Sequence, residues 1–328
     1  MSSASDVYLV TGGSGFLGSN LVKSLVDAGR KVRVLDNNFR GSASKLGDYM
    51  QRVEFVEGDI RDRSVVDRAV KGASVVCHLA FINGTRYFYE QPVLVLDVGV
   101  RGTLNVLESA VEQGVREFVY ASSSEVYQTP ARVPTDESIP MMIPDPRNAR
   151  YSYGGAKLIG EIMTFNYGRG KFERTVVFRP HNVYGPDMGF EHVIPELVVR
   201  LRRLASSQPS GVLDLQIQGE GNETRAFCEV RDFTRGLMAV VDKGADQNVY
   251  HIGTDEEVSI RELAVAIGTE LGREIRIVPS EVRPGGTPRR CPDISKLRQL
   301  GYVPQLLLAK GLKDSVAWYA AWADQHAG

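Results

Sequence analysis

Along its first half the chain alternates short apolar, β-branched runs with stretches whose apolar positions recur at helical spacing. VYLVT (7–11), KVRVLD (31–36), VEFVEGD (53–59), ASVVCHLA (73–80) and REFVYASS (116–123) read as strands. FLGSNLVKSLVDAG, DRSVVDRAVKG and VRGTLNVLESAVEQG lie between them with a 3.6-residue pattern, the first stopped by Gly29. Strands that alternate with helices imply parallel βαβ units, hence an α/β fold with a doubly wound parallel sheet of Rossmann type.

The pattern changes near residue 180. RPHNVYGPDMGF (179–190) is rich in Gly, Pro and Asn and predicts a functional loop; a helix is expected near 192–206 and a turn at SSQPSG (206–211). DLQIQG, DFTRGLMAVVDKG, NVYHIG and SIRELAVAIGTELG follow, and Ser259 and Glu262 have capping-box spacing. The expected division is a dinucleotide-binding domain over 1–180 and a smaller C-terminal α/β lobe over 181–328 that binds substrate. TVVFRP (175–180) looks like a further core strand, and about 226–256 are expected to return to the first domain, so the lobes interleave.

Bulk properties narrow the classes. The chain has 328 residues, 43% hydrophobic and 24% charged, with a formal net charge of −1, so no basic excess points to nucleic acid. No apolar run is long enough to span a bilayer, and MSSASD lacks the regions of a signal peptide. Cys77, Cys228 and Cys291 are scattered, which argues against a disulfide framework or a zinc site. These features lead to the expectation of a cytoplasmic enzyme without a metal.

The chemistry begins at TGGSGFLG, which sets Gly12, Gly15 and Gly18 between a strand and a helix. Glycines there permit a tight turn and close approach of backbone to a pyrophosphate, which the helix N-terminus attracts. Asp36 ends the next strand, where a carboxylate accepts from both adenosine ribose hydroxyls and repels a 2′-phosphate, favouring NAD over NADP; Arg40 nearby tempers that preference. Asp59 and Ile60 fall where adenine contacts are expected, although Asp59 also suits a helix cap. In YSYGGAK, Tyr153 and Lys157 are four residues apart and share one helix face. A nearby ammonium and a cationic nicotinamide both favour phenolate, making Tyr153 a candidate proton acceptor for a hydroxyl.

Taken with HLA (78–80), SSSEVY (122–127), RPHNVYGP (179–186), TRAF (224–227), YHIGT (250–254) and RPGG (283–286), the chain resembles the extended short-chain dehydrogenase/reductases, specifically their nucleotide-sugar epimerases and dehydratases. The resemblance implies that Tyr153 is the base, that Lys157 binds the nicotinamide ribose, and that Ser123 bridges the sugar O4 and the phenol. Ser122 or Ser124 would take that place if the register shifted by one. It further implies NAD contacts from Gly12, Gly15, Phe16, Leu17, Asp36, Asn37, Asp59, Ile60, Leu79 and Ala80. Asn182, Arg225 and Arg283 match residues that hold the diphosphate of a nucleotide sugar, with Arg289 and Arg290 as weaker candidates. A homodimer formed through helices near 96–113 and 151–168 is the family expectation.

Several positions depart from the family pattern. His181 stands where a small or apolar residue is common, either touching sugar or phosphate or filling the core. Gly99 replaces an asparagine, and Glu229 an aromatic residue. FINGTRYFYE (81–90) is unusually aromatic for a segment expected to face the sugar, and Arg86 within it is a candidate partner for a C6 carboxylate. The reaction expected first is 4-epimerisation of a nucleotide-diphosphate hexose or hexuronic acid. Glu125, beside Ser124, keeps a second outcome open, in which it acts as a base for 4,6-dehydration or decarboxylation; it fits equally as a structural carboxylate. A silent NAD-sensing regulator would lack the Tyr or the Lys, and both are present.

Overall fold

The computed structural model describes residues 6–281 and 287–326. Seven parallel strands form the main sheet: β1 (Val7–Thr11), β2 (Lys31–Asp36), β3 (Glu54–Glu57), β4 (Val75–His78), β5 (Glu117–Ala121), β6 (Arg174–Pro180) and β7 (Asn248–Ile252). Their order across the sheet is β7-β6-β5-β4-β1-β2-β3. The order reverses beside β1, so the carboxyl ends of β1 and β4 open a crevice, the usual ligand position in such a sheet.

Both faces of the sheet are covered, which is why its strands are continuous apolar runs rather than alternating ones. Leu21, Leu25, Phe233 and Leu237 pack one face, and Val66, Val106, Leu107 and Phe172 the other. The helix Val230–Lys243 lies beside the helix Phe16–Asp27, and β7 pairs with β6 through Tyr250 and Phe178. Residues 230–252 are therefore integral to the main sheet's layers.

The remaining C-terminal segments have their own core. Helices Val193–Ser207, Ile260–Glu270 and Leu308–Gln325 pack around Leu197, Leu215, Leu263 and Tyr319. Strand Leu213–Gln218 pairs in parallel with Ile275–Ser280. A small sheet places Thr224–Ala226 between Glu257–Ser259 and Arg289–Arg290, with Arg290 in register with Arg225. The capping box is formed: Ser259 Oγ accepts from Glu262 N at 3.1 Å, and the Glu262 carboxylate accepts from Ser259 N at 2.7 Å. Among the described residues no helix is long and apolar enough to cross a membrane.

Candidate active site

One cavity of about 410 Å³ runs along the carboxyl ends of β1, β2, β4, β5 and β6. The glycine turn, Asp36 and Asp59 line one end, and Ser123, Glu125, Arg150, Tyr153 and Arg290 line the other.

At the first end the glycine turn is held by Gly12 N donating to Leu35 O at 2.8 Å. Gly12 has φ +75°, and a Cβ there would come within 2.6 Å of Ala80 N, so only glycine fits. The helix that follows starts at Phe16 with no side-chain cap, leaving its first N–H groups free for an anion. Asp36 is buried; Oδ2 accepts from Ser14 N and Oδ1 from Asn38 N, both at 2.9 Å. Each oxygen keeps a lone pair for a ribose hydroxyl. Asp59 accepts from Arg61 Nη2 at 2.8 Å and Asn37 Nδ2 at 2.9 Å, and the Arg61 bonds hold its carboxyl below the ordinary range against the opposing effect of burial. The helix cap that Asp59 also suited belongs to Asp62, which accepts from Ser64 N. Leu79, Ala80, Ile60, Phe16, Leu17 and Asn37 all line this end. Buried His78 bridges Thr11 at 2.7 Å and Thr103 at 3.0 Å. Burial pushes its pKa down to about 3, so a neutral ring fixes the strand end beneath Ala80. A dinucleotide fits this end: a bare backbone cradle for pyrophosphate, then a carboxylate with spare acceptors.

At the other end Tyr153 and Lys157 are buried on the helix Ser152–Gly168. Lys157 Nζ donates to Ala121 O at 2.6 Å and stands 3.8 Å from the centroid of the Phe81 ring. Phe88 stacks on Tyr153 at 4.8 Å, and Phe81 meets it edge-on at 5.1 Å. The aromatic content of FINGTRYFYE therefore walls in the tyrosine rather than only facing a sugar. Gly99 is explained by the same ring, because a Cβ at 99 would overlap Phe81. Burial pushes the Tyr153 phenol up to about 12, a hydrogen bond from Ser123 works downward, and Glu125 adds to the rise. Burial also lowers Lys157 to about 7. The protein groups alone thus hold Tyr153 as a phenol; a cation against its ring side, which oxidised nicotinamide provides, is what favours phenolate. Ser122 is occupied by Glu161, so Ser123 is the hydroxyl that reaches Tyr153.

Glu125 forms a close ion pair with Arg290, and Arg150 stands 3.9 Å from its other oxygen. Burial works to raise its pKa, but Arg290, Arg150 and Arg225 outweigh burial and hold it below the ordinary value. Asn182, at φ 39°, lines the cavity and donates to Ala226 O at 3.2 Å. Arg225 stands outside the lining and donates to Thr287 O at 2.6 Å and Thr224 O at 2.7 Å. Burial and the charge of Arg290 lower its pKa to about 10.

Arg86 and His181 lie elsewhere. Arg86 does not line the cavity; it is exposed, pairs with Glu90 at 3.3 Å and covers the Tyr87 ring. His181 is buried against His251, with ring centroids 4.5 Å apart, and burial keeps it neutral. Arg283 falls outside the described residues. Sequence reasoning missed Arg150, Met188 and His192, all of which line the cavity, and ranked Arg290 below Arg225. Glu229 is the N-cap of the helix Val230–Lys243, accepting from Arg231 N.

With this geometry in hand, comparisons with known proteins place the chain. Residues 8–253 match the model of the NAD dependent epimerase/dehydratase family. The chain is 31% identical over 323 residues to the UDP-N-acetyl-alpha-D-glucosaminuronate decarboxylase of Bacillus cytotoxicus, a match covering 95% of this chain and 97% of that protein. A dTDP-glucose 4,6-dehydratase of Streptomyces venezuelae, solved with NAD, superposes with a TM-score of 0.82 at 31% identity, covering 96% of this chain and 97% of that one. A UDP-glucose 4-epimerase of Thermotoga maritima, solved with UDP-glucose, gives 0.83 at 27% identity, covering 96% and 99%. Three different reactions are thus found on one scaffold at comparable similarity.

Proposed function

We propose that this chain, which belongs to the NAD-dependent epimerase/dehydratase family, is a 4-epimerase of a nucleotide-diphosphate hexose or hexuronic acid. The observation that carries this reading is the state of Glu125. Of the three carboxylates lining the cavity, Asp36 and Asp59 belong to the dinucleotide end, and Glu125 is engaged by Arg290 and Arg150, which lower its basicity toward a C5 proton. Dehydration across C5 and C6 requires a base for the C5 proton and an acid for the leaving hydroxyl. Ser124 stands where such an acid would be useful, and it has no acidic proton to give. Epimerisation at C4 needs only proton exchange at O4, which Tyr153 and Ser123 can serve.

In this reading Tyr153 takes the O4 proton and later returns it, Ser123 orients O4 through its bond to the phenol, and Lys157 holds the strand end at Ala121. NAD held at the dinucleotide end would supply reversible hydride acceptance from C4, and its positive charge would favour the phenolate. Arg290 and Asn182 line the cavity as a polar wall suited to the diphosphate, because arginine forks match phosphate oxygens, and Arg225 stands behind Arg290. For a hexuronate the 4-keto stage is a β-keto acid, so loss of carbon dioxide is the competing outcome.

The test is product analysis by NMR in deuterium oxide across UDP-, GDP-, CDP-, dTDP- and ADP-sugars. A 4-epimer without deuterium at C5 is expected. A 4-keto-6-deoxy product, or carbon dioxide with deuterium at C5, would sink the epimerase reading. We further infer a homodimer: the helix Pro92–Leu96 packs on the helix Ser152–Gly168, and Val93, Leu96, Ile159 and Ile162 are exposed beside one another's helices. Light scattering should give twice the chain mass, and Ile162→Glu should halve it.

A further inference from the structure

The segment Gly185–His192 spans the mouth of the cavity and is fastened at both sides. On the lobe side Met188 N donates to Tyr319 Oη, which donates to Gly189 O, both at 2.9 Å. Phe190 packs on Trp322 at 4.2 Å and on Tyr319 at 5.5 Å between centroids. On the sheet side Lys45 Nζ donates to Asp187 O at 2.9 Å and pairs with its carboxylate. Arg40 stands 3.6 Å from Glu191 and lies over the Tyr87 ring at 4.7 Å. The Glu191 Oε2 that faces Arg40 is buried and has no hydrogen-bond donor among the described residues. It sits against Gly84, where any Cβ would overlap it.

Three segments distant in sequence therefore meet at one point: 39–45, 84–87 and 187–191. Phe39, Arg40, Gly84, Met188 and His192 line the same cavity as Gly12, Gly15 and Asp36. The 39–45 loop is seated on the glycine turn itself, with Ser42 N donating to Ser14 O at 3.1 Å. The Arg40 pair thus stands on the wall of the space between that turn and Asp36.

We infer that Arg40, Lys45, Asp187 and Glu191 form a clasp that retains NAD between turnovers. Two cations on the sheet side meet two carboxylates on the segment pinned to the lobe, so closure joins the lobes over the dinucleotide. The clasp rests on NAD dependence alone. Its value rests on the epimerase reading, because an enzyme that returns the same hydride has no need to exchange its cofactor, whereas a net reductase does.

The experiment measures NAD release from the holoenzyme into cofactor-free buffer containing an NAD-consuming trap. Each part-exposed pair is individually weak: Arg40→Gln, which removes one pair and the Arg40–Tyr87 stack, should release NAD about tenfold faster, and Glu191→Gln, which removes the pair alone, about threefold faster. Asp187→Asn should move release in the same direction, and the exchanged pair R40E/E191R should slow it again. Release within about twofold of the parent in all single variants, or no recovery in the exchanged pair, would overturn the clasp, since a coupled charge pair must show both effects. The readout is independent of the sugar product, so an incorrect epimerase reading would leave it unchanged.

Discussion

Glu161–Arg179 and Glu125–Arg290 are both glutamate–arginine pairs near the end of β5, yet their surroundings differ. Glu161 accepts from Ser122, from Arg179 Nε at 2.8 Å and from Arg179 Nη2 at 2.6 Å, with side chains 2% and 4% exposed. The last arm of Arg179 goes to Tyr127, whose hydroxyl meets His251 Nε2 at 2.7 Å. Glu125 and Arg290 are 24% and 13% exposed, and Arg290 Nε has no hydrogen-bond partner among the described residues. A buried pair in which every arm of the arginine has a partner fixes a core. A pair that lines a cavity and stays part-exposed is placed to meet a ligand. Charge alone would not distinguish the two pairs; their hydrogen-bond completeness does.

The sharpest way to break this contrast is Arg179→Met. It strands Glu161 in the interior and should lower stability by about 3–5 kcal/mol, read from urea unfolding. A loss below about 1 kcal/mol, the scale of an exposed pair, would remove the distinction. Arg290→Met should act in the opposite manner. Charge-assisted bonds to a ligand are worth about 2 kcal/mol, so kcat/KM should fall roughly 30-fold, mostly through KM, while the urea midpoint hardly moves. Glu125→Gln should leave product identity unchanged and reduce stability at pH 7 by less than about 1 kcal/mol, because the pair is partly solvated.

The smallest effect tests the sign of the Glu125 charge. Its folded pKa lies below the ordinary carboxylate value, so its ionised form stabilises the fold above the unfolded pKa. That contribution disappears as pH falls through the lowered folded pKa. The stability gap between parent and Glu125→Gln should therefore close below about pH 4, the ordinary glutamate range. A gap that widened in acid would mean that burial, not the arginines, governs Glu125.

What was legible in the sequence follows the same division. The glycine turn, Asp36, Ser123, Tyr153 and Lys157 each lie at a strand end or on one helix face, where spacing specifies position. Six of the seven strands were readable for a related reason, since a sheet buried on both faces writes itself as apolar runs; the edge strand Asn248–Ile252 was not singled out. Arg290 was not readable. It reaches Glu125, 165 residues earlier, through the register that sets it beside Arg225. Arg86 was attractive by composition, but its helix places Glu90 one turn away and satisfies it locally. His181 was open between ligand and core because nothing in RPHN reveals that His251, from a strand end 70 residues on, packs edge-on against it.

The Phe81 ring occupies the place that a side chain at residue 99 would need, and it also contacts Tyr153 and Lys157. Residues 81 and 99 are thus tied as alternatives. An asparagine at 99 is blocked while Phe81 stays, and a small residue at 81 opens a void beside Tyr153 while Gly99 stays. A side chain gained at 99 would have to turn the Phe81 ring aside, away from Tyr153. Among relatives the two positions should covary, with the aromatic ring at 81 travelling with glycine at 99.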